Sequence, residues 1–302
     1  MVGTALPLVV GAALLANVDR GDTAVQVTAP DGQVVIGMTP AEAEADEPRL
    51  VPECHTDQGD PGAPIGCAVG DPAGDYSVVL LGDSHARQWI DALDAVGRRE
   101  GWRVHVWTKS SCTIVDAHTY LSTQERAYDD CDEWRVHVRE RIAELDHVDE
   151  ILFTRAAGVR RMILDGDRLL DPSEIGPLWS AAFGRTLAQF QTLADQVTFL
   201  SDTPWPGFKP PACLSEHGGD PEECTFTLAG TVVDDDLLAI ERPIAGAAGV
   251  RIVDPRPLVC PDAPCRVVTP DGTITYRDSH HLTRTFTMTL LDQIRLWVDG
   301  AG

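Results

Sequence analysis

Along most of its length the chain alternates between two kinds of hydrophobic pattern. Short runs of β-branched and apolar residues, such as Val78-Val79-Leu80-Leu81, Val104-His105-Val106-Trp107 and Ile151-Leu152-Phe153-Thr154, have the composition and length of strands. Val197-Thr198-Phe199-Leu200 and Val250-Arg251-Ile252-Val253 repeat the pattern. Between these runs, apolar residues recur every three or four positions. The segment 86–99 places Trp89, Ile90, Leu93 and Val96 on one helical face, and 124–147 does the same with Trp134, Val138, Ile142 and Leu145. Residues 177–196, 231–248 and 284–297 read as further helices, and 267–276 as a hairpin turning at Asp271-Gly272. Strands alternating with helices predict an α/β fold, a three-layer α/β/α sandwich around a central, mainly parallel sheet. In such sheets chemistry gathers beyond the carboxyl ends of the strands, where Ser84, Ser111, Arg155 and Asp202 all fall.

The pattern weakens toward the amino terminus. Residues 1–17 contain an apolar run (Leu6, Leu8, Val9, Val10, Leu14, Leu15) that is short for a bilayer span and has no Lys or Arg before it. It fits a signal anchor, a secretory signal or the end of a membrane helix, and all three place the remaining chain across a membrane. Residues 18–75, rich in Gly, Pro, Asp and Ala, lack periodicity and are expected to be mostly a tether, with one hairpin across Asp31-Gly32. A single domain is expected over 76–302.

Composition narrows the class. A formal net charge of −23 over 302 residues argues against a nucleic-acid partner, because phosphates would be repelled. The eight cysteines fall into sequence-local couples: Cys54 with Cys67, Cys112 with Cys131, Cys213 with Cys224, and Cys260 with Cys265. None has the spacing of a zinc or redox motif, so four local disulfides and a location outside the cytoplasm are expected. Asp234-Asp235-Asp236 reads as an acidic first helical turn rather than a metal site. No phosphate loop or nucleotide fingerprint is present, and neither metal nor cofactor is expected.

The candidate chemistry lies at two distant places. After the first strong strand, Gly82-Asp83 turns the backbone so that Ser84 begins a helix; near the other end stands Asp278-Ser279-His280-His281-Leu282-Thr283. A serine hydroxyl is a weak nucleophile until an imidazole accepts its proton and a third group orients that imidazole. Asp278 and His281, three residues apart, supply both. Backbone N–H groups at the helix start would favour a developing oxyanion. Taken alone, Ser84 reads first as a helix cap and Asp278 as a turn carboxylate; together with the distant partner they read as a nucleophile and its orienting acid.

The ordered set Gly82-Asp83-Ser84-His85 and Asp278-x-x-His281 resembles the SGNH (GDSL-like) hydrolases. More narrowly, with Trp107-Thr108-Lys109-Ser110-Ser111-Cys112 and Ser201-Asp202-Thr203-Pro204-Trp205-Pro206, the chain is similar to the extracytoplasmic SGNH domain of bacterial membrane acyltransferase-3 proteins that O-acetylate surface glycans. The resemblance runs from about Cys54 to the carboxyl terminus and implies a Ser84–His281–Asp278 triad. It favours His281 over His280, because Leu282-Thr283 follows it as the family pattern requires. It also implies an oxyanion hole from Ser84 and Ser111, but the third family block reads Phe153-Thr154-Arg155-Ala156 and lacks the usual Asn. Arg155 either adds charge there or forms a structural salt bridge. His85 is expected to line the pocket, and Trp205 with Phe208 either to face a sugar or to plug a loop.

What the resemblance implies is O-acyl transfer, most of all O-acetyl transfer, through an acyl-serine. The acceptor would be a cell-surface polysaccharide, lipopolysaccharide-like glycan or peptidoglycan, and the donor would be delivered by a membrane acyltransferase. A carbohydrate O-acetyl esterase and a non-catalytic glycan-binding module are the alternatives.

Overall fold

A computed structural model describes residues 23–28, 34–228 and 235–298. The apolar run at 2–17, the turn Asp31-Gly32 and the start of the 231–248 segment lie outside these residues. Seven strands form the main sheet: β1 His55–Thr56, β2 Ala68–Gly70, β3 Tyr76–Gly82, β4 Trp102–Lys109, β5 Glu150–Thr154, β6 Gln196–Leu200 and β7 Arg251–Val253. Their order is β7-β6-β5-β3-β4-β1, all parallel, with β2 antiparallel on the outer edge of β4.

Alternation along the strands builds two cores. Val78, Leu80, Val104, Val106, Leu152 and Leu200 face one side, where helix α2 (Ile90–Glu100) contributes Ile90, Leu93 and Val96. The C-terminal helices, α6 Arg284–Met288 and α7 Leu291–Arg295, complete that layer through Phe286 and Ile294. Val79, Leu81, Ile151, Phe153, Val197 and Phe199 face the other side. They meet α3 (Asp129–Ala143), α4 (Gly176–Phe190) and α5 (Asp235–Ala248) through Trp134, Trp179, Phe183 and Leu238. Because successive side chains of a strand point to opposite faces, a continuous apolar run satisfies both layers. The architecture is the expected three-layer α/β/α sandwich.

Several boundaries differ from the sequence pattern. The 124–147 helix begins only at Asp129, because Arg126–Ala127 pairs instead with Tyr120–Leu121. The helix after Ser84 is one turn, α1 (Ser84–Arg87), separated from α2 by Gln88-Trp89. A dipole argument at Ser84 therefore rests on one turn. The four cysteine couples are the disulfides of the structure.

The largest correction concerns the expected tether. Residues 34–75 are docked on the sandwich and supply two sheet strands, β1 and β2. A short helix, Pro40–Glu44, carries a capping box between Thr39 and Glu42. Beyond it, Asp46 accepts the Thr285 backbone N–H at 2.7 Å while its carbonyl accepts that of Arg284. Glu47 reaches Arg277 at 3.0 Å, and Arg49 N–H donates to Asp91. Scattered polar contacts, backbone bonds and isolated apolar residues such as Met38, Ala43 and Val69 hold this strap, so no amphipathic period announces it. Among the described residues, no helix is long and apolar enough to cross a membrane.

Candidate active site

Strand β3 ends at Gly82, where φ is 148° and an added Cβ would lie 2.4 Å from the Thr154 carbonyl oxygen and 2.9 Å from Ala86 Cβ. Only glycine lets this turn approach the end of β5 so closely. Asp83 then caps α1: its Oδ1 accepts the His85 N–H at 2.8 Å and its Oδ2 the Ala156 N–H at 2.7 Å. The two bonds tie the turn to the neighbouring strand end and leave half-buried Ser84 at the head of the helix.

The partner loop is built just as locally. Asp278 Oδ1 accepts the backbone N–H groups of His280 and His281 at 2.9 and 2.8 Å, and Oδ2 lies 2.8 Å from His281 Nδ1. Leu282 N–H donates to buried Gln88 Oε1 at 3.0 Å, and Thr283 caps α6. Gln88 thereby pins the loop to the segment that follows Ser84. His281 Nε2 stands 2.8 Å from Ser84 Oγ.

The electrostatics suit a neutral base held by an anion. Burial raises the Asp278 carboxyl, but the hydrogen bond and charge of His281 and two backbone N–H groups outweigh it and hold the group well below the usual range. Burial lowers the His281 imidazole below its ordinary value, with Asp278 opposing the shift. Asp278 therefore accepts a hydrogen bond from His281 Nδ1–H, and Nε2 is left to accept the Ser84 hydroxyl proton. The arrangement is a hydroxyl, an imidazole and a carboxylate in hydrogen-bond series, able to accept and return one proton at Oγ.

The other candidates separate. Ser111 follows β4, whose Thr108 pairs with Gly82 across the sheet, and it is exposed with φ at 58°. A serine in the left-handed region carries backbone strain of about 1–3 kcal/mol. Its Oγ accepts from Gln58 Nε2 at 3.1 Å. Arg155 does not reach the site surface: it is 0% exposed, and its Nε and a terminal nitrogen bind Glu241 at 2.8 and 2.5 Å. With no accessible surface it cannot touch a substrate, so the salt-bridge alternative replaces the charge role. His85 is also buried, at 1% exposure, and does not line the pocket. Its Nδ1 lies 2.6 Å from Asp202 Oδ1 and its Nε2 3.0 Å from His280 Nδ1. Trp205 donates its Nε1–H to Asp202 Oδ2 at 2.9 Å and stacks on His280, and half-buried Phe208 packs against the apolar core.

The sequence placed Asp202 at a strand end and in a family-like stretch without giving it a task, ranked His280 behind His281, and did not single out Gln88 or His55. His55 Nε2 lies 2.9 Å from Ser110 Oγ, and its Nδ1 2.9 Å from Thr108 Oγ1. The register of β1 on β4, which no sequence signal encodes, is what places it there.

A sequence profile of the family described as SGNH domain (fused to AT3 domains) matches residues 53–295. Among solved structures, the periplasmic domain of a lipopolysaccharide acetyltransferase from Salmonella ser. Paratyphi A aligns with a TM-score of 0.54 at 14% identity, over 74% of this chain and 83% of that one. The inhibitor-bound form of an aryl esterase from M. smegmatis aligns with a TM-score of 0.45 at 13% identity, over 74% of this chain and 100% of that one. No curated protein sequence matches the chain.

Proposed function

Because the chain belongs to the family of SGNH domains fused to AT3 domains, we propose that it transfers an O-acyl group, acetyl above all, to a cell-envelope glycan through Ser84. The observation that carries this reading is the pair of 2.8 Å contacts that joins Ser84 Oγ to His281 Nε2 and His281 Nδ1 to Asp278. His281 takes the hydroxyl proton as Oγ attacks the acyl carbonyl carbon. The oxyanion so formed meets the N–H groups of Ser84 and Ser111, and the imidazolium then protonates the departing group. The strained φ of Ser111 supports its place as a donor, since strain persists where a local geometry is in use. In the second half-reaction His281 deprotonates a sugar hydroxyl, which attacks the acyl-Ser84 ester and frees the enzyme.

A membrane acyltransferase of the AT3 type is the proposed donor partner, and a polysaccharide, lipopolysaccharide-like glycan or peptidoglycan the proposed acceptor. The four disulfides support a place outside the cytoplasmic membrane.

The test is the partition of acyl flux from a chromogenic acetyl ester, measured with and without glycan acceptors. Transfer predicts that an acceptor diverts acetyl from water to sugar. Hydrolysis that no acceptor diverts identifies an esterase, and a Ser84 inert to serine-reactive fluorophosphonate identifies a binding module.

A further inference from the structure

Beside the proposed triad runs a second hydrogen-bonded series, Asp202–His85–His280, in which no residue has a role so far. Asp202 is 2% exposed. Its carboxylate accepts the N–H groups of Ala157 (2.7 Å) and Thr203 (2.8 Å) and the Trp205 Nε1–H (2.9 Å), besides facing His85 Nδ1. A buried carboxylate with that many donors stays ionised, so His85 Nδ1 carries a proton. Between His85 Nε2 and His280 Nδ1, 3.0 Å apart, only one nitrogen can hold the next proton. Burial works against a charged His85, but Asp202 outweighs it and raises the imidazole above its ordinary value. Burial and the neighbouring His85 lower His280 to about 3. The shared proton therefore sits on His85, His280 accepts it at Nδ1, and the one hydrogen of neutral His280 is on Nε2.

The His280 ring is held in place. Trp205 stacks on it at 4.4 Å between centroids and 23° between planes, and the His281 ring lies 4.1 Å away. Gly158 makes room for Trp205, since an added Cβ would come 2.7 Å from its Cη2. His85 and His281 have both ring nitrogens engaged, so three imidazoles offer a single open nitrogen, His280 Nε2, among the described residues. A cation bound by all three would have to break the Ser84 or the Asp278 contact of His281. The cluster is suited to donate one hydrogen bond, not to chelate.

We propose that His280 contacts the substrate, donating its Nε2–H to the acyl oxygen as negative charge develops there, and that Asp202 and His85 are positioning residues that fix its tautomer. The inference rests on the acyl-transfer reading and supplies the donor that the third block lacks.

Turnover of a chromogenic acetyl ester by the full chain tests it. His280→Phe keeps a flat ring against Trp205 but has no donor, and it should lower kcat about 10²–10³-fold with KM nearly unchanged. His280→Gln, which restores an N–H, should recover about tenfold of that loss. Imidazole ¹⁵N spectra of the wild type should show His280 protonated at Nε2, and Asp202→Asn should move that proton to Nδ1. Wild-type kcat in His280→Phe, or a native Nδ1–H tautomer, overturns the inference while fluorophosphonate labelling of Ser84 leaves acyl transfer standing. If wild-type Ser84 takes no label, both readings fall together.

Discussion

The molecule contains two Asp–His couples within one ring's reach of each other, and they are matched in almost everything but surroundings. In one, Asp278 meets His281 at 2.8 Å, with side chains 32% and 13% exposed. In the other, Asp202 meets His85 at 2.6 Å, both 1% exposed. The far nitrogen of the first faces a hydroxyl, and that of the second faces another imidazole. The shifts follow: His281 lies below the ordinary imidazole value and His85 above it. A couple whose imidazole is neutral can take a proton from Ser84 and return it. A couple whose imidazole keeps its proton can only orient what lies beyond. The same two residue types thus become a base or a bracket according to burial and the third partner.

The most severe way to break this comparison is to neutralise each carboxylate in turn. Asp278→Asn should cost on the order of 10⁴ in kcat, because the amide favours the wrong His281 tautomer. Asp202→Asn should cost far less, about 10²-fold, since it acts only through the donor on His280. Equal losses in the two variants would mean that the couples do not divide the work as described.

A third buried pair, Arg155–Glu241, serves as the control without an imidazole. Glu241→Gln removes the buried carboxylate charge that faces Arg155 and should destabilise the fold by about 3–5 kcal/mol. At about 2–4 °C per kcal/mol, the melting temperature should fall by roughly 6–20 °C. Ester turnover per folded molecule should not change. A matching loss of turnover would return Arg155 to the site.

The smallest effects are in pH. With His281 as the proposed base, the acid limb of kcat/KM should have its midpoint below the ordinary imidazole value of 6.5, with activity lost as pH falls through it. A positive His85 helps to lower His281; removing it in His85→Gln should move the limb toward higher pH by less than about one unit. A limb that moves the other way would contradict a charged His85.

The two couples also differ in how they can be read from the chain. Asp278 and His281 stand three residues apart, and Ser84 follows an apolar strand and a Gly-Asp turn, so local pattern and family resemblance reach the whole first series. His85 and Asp202 are 117 positions apart. Only the placement of β5 between β3 and β6 brings their strand ends together, and no period in the sequence encodes that contact. The strands were legible because burial on both faces leaves unbroken apolar runs. The strap at 34–75 was not, because Asp46, Glu47 and Arg49 dock through individual polar bonds. Arg155 was placed correctly at a strand end, but its partner Glu241 lies on a helix 86 residues away.

In the proposed reaction Ser84 carries the acyl group during turnover. The direct measurement is acid quenching with a chromogenic acetyl ester, followed by peptide mass spectrometry. Acetyl is expected on the peptide containing Ser84 in the wild type and should be lost in His281→Ala. Turnover with no adduct on Ser84, or an adduct that forms as fast without His281, would contradict it.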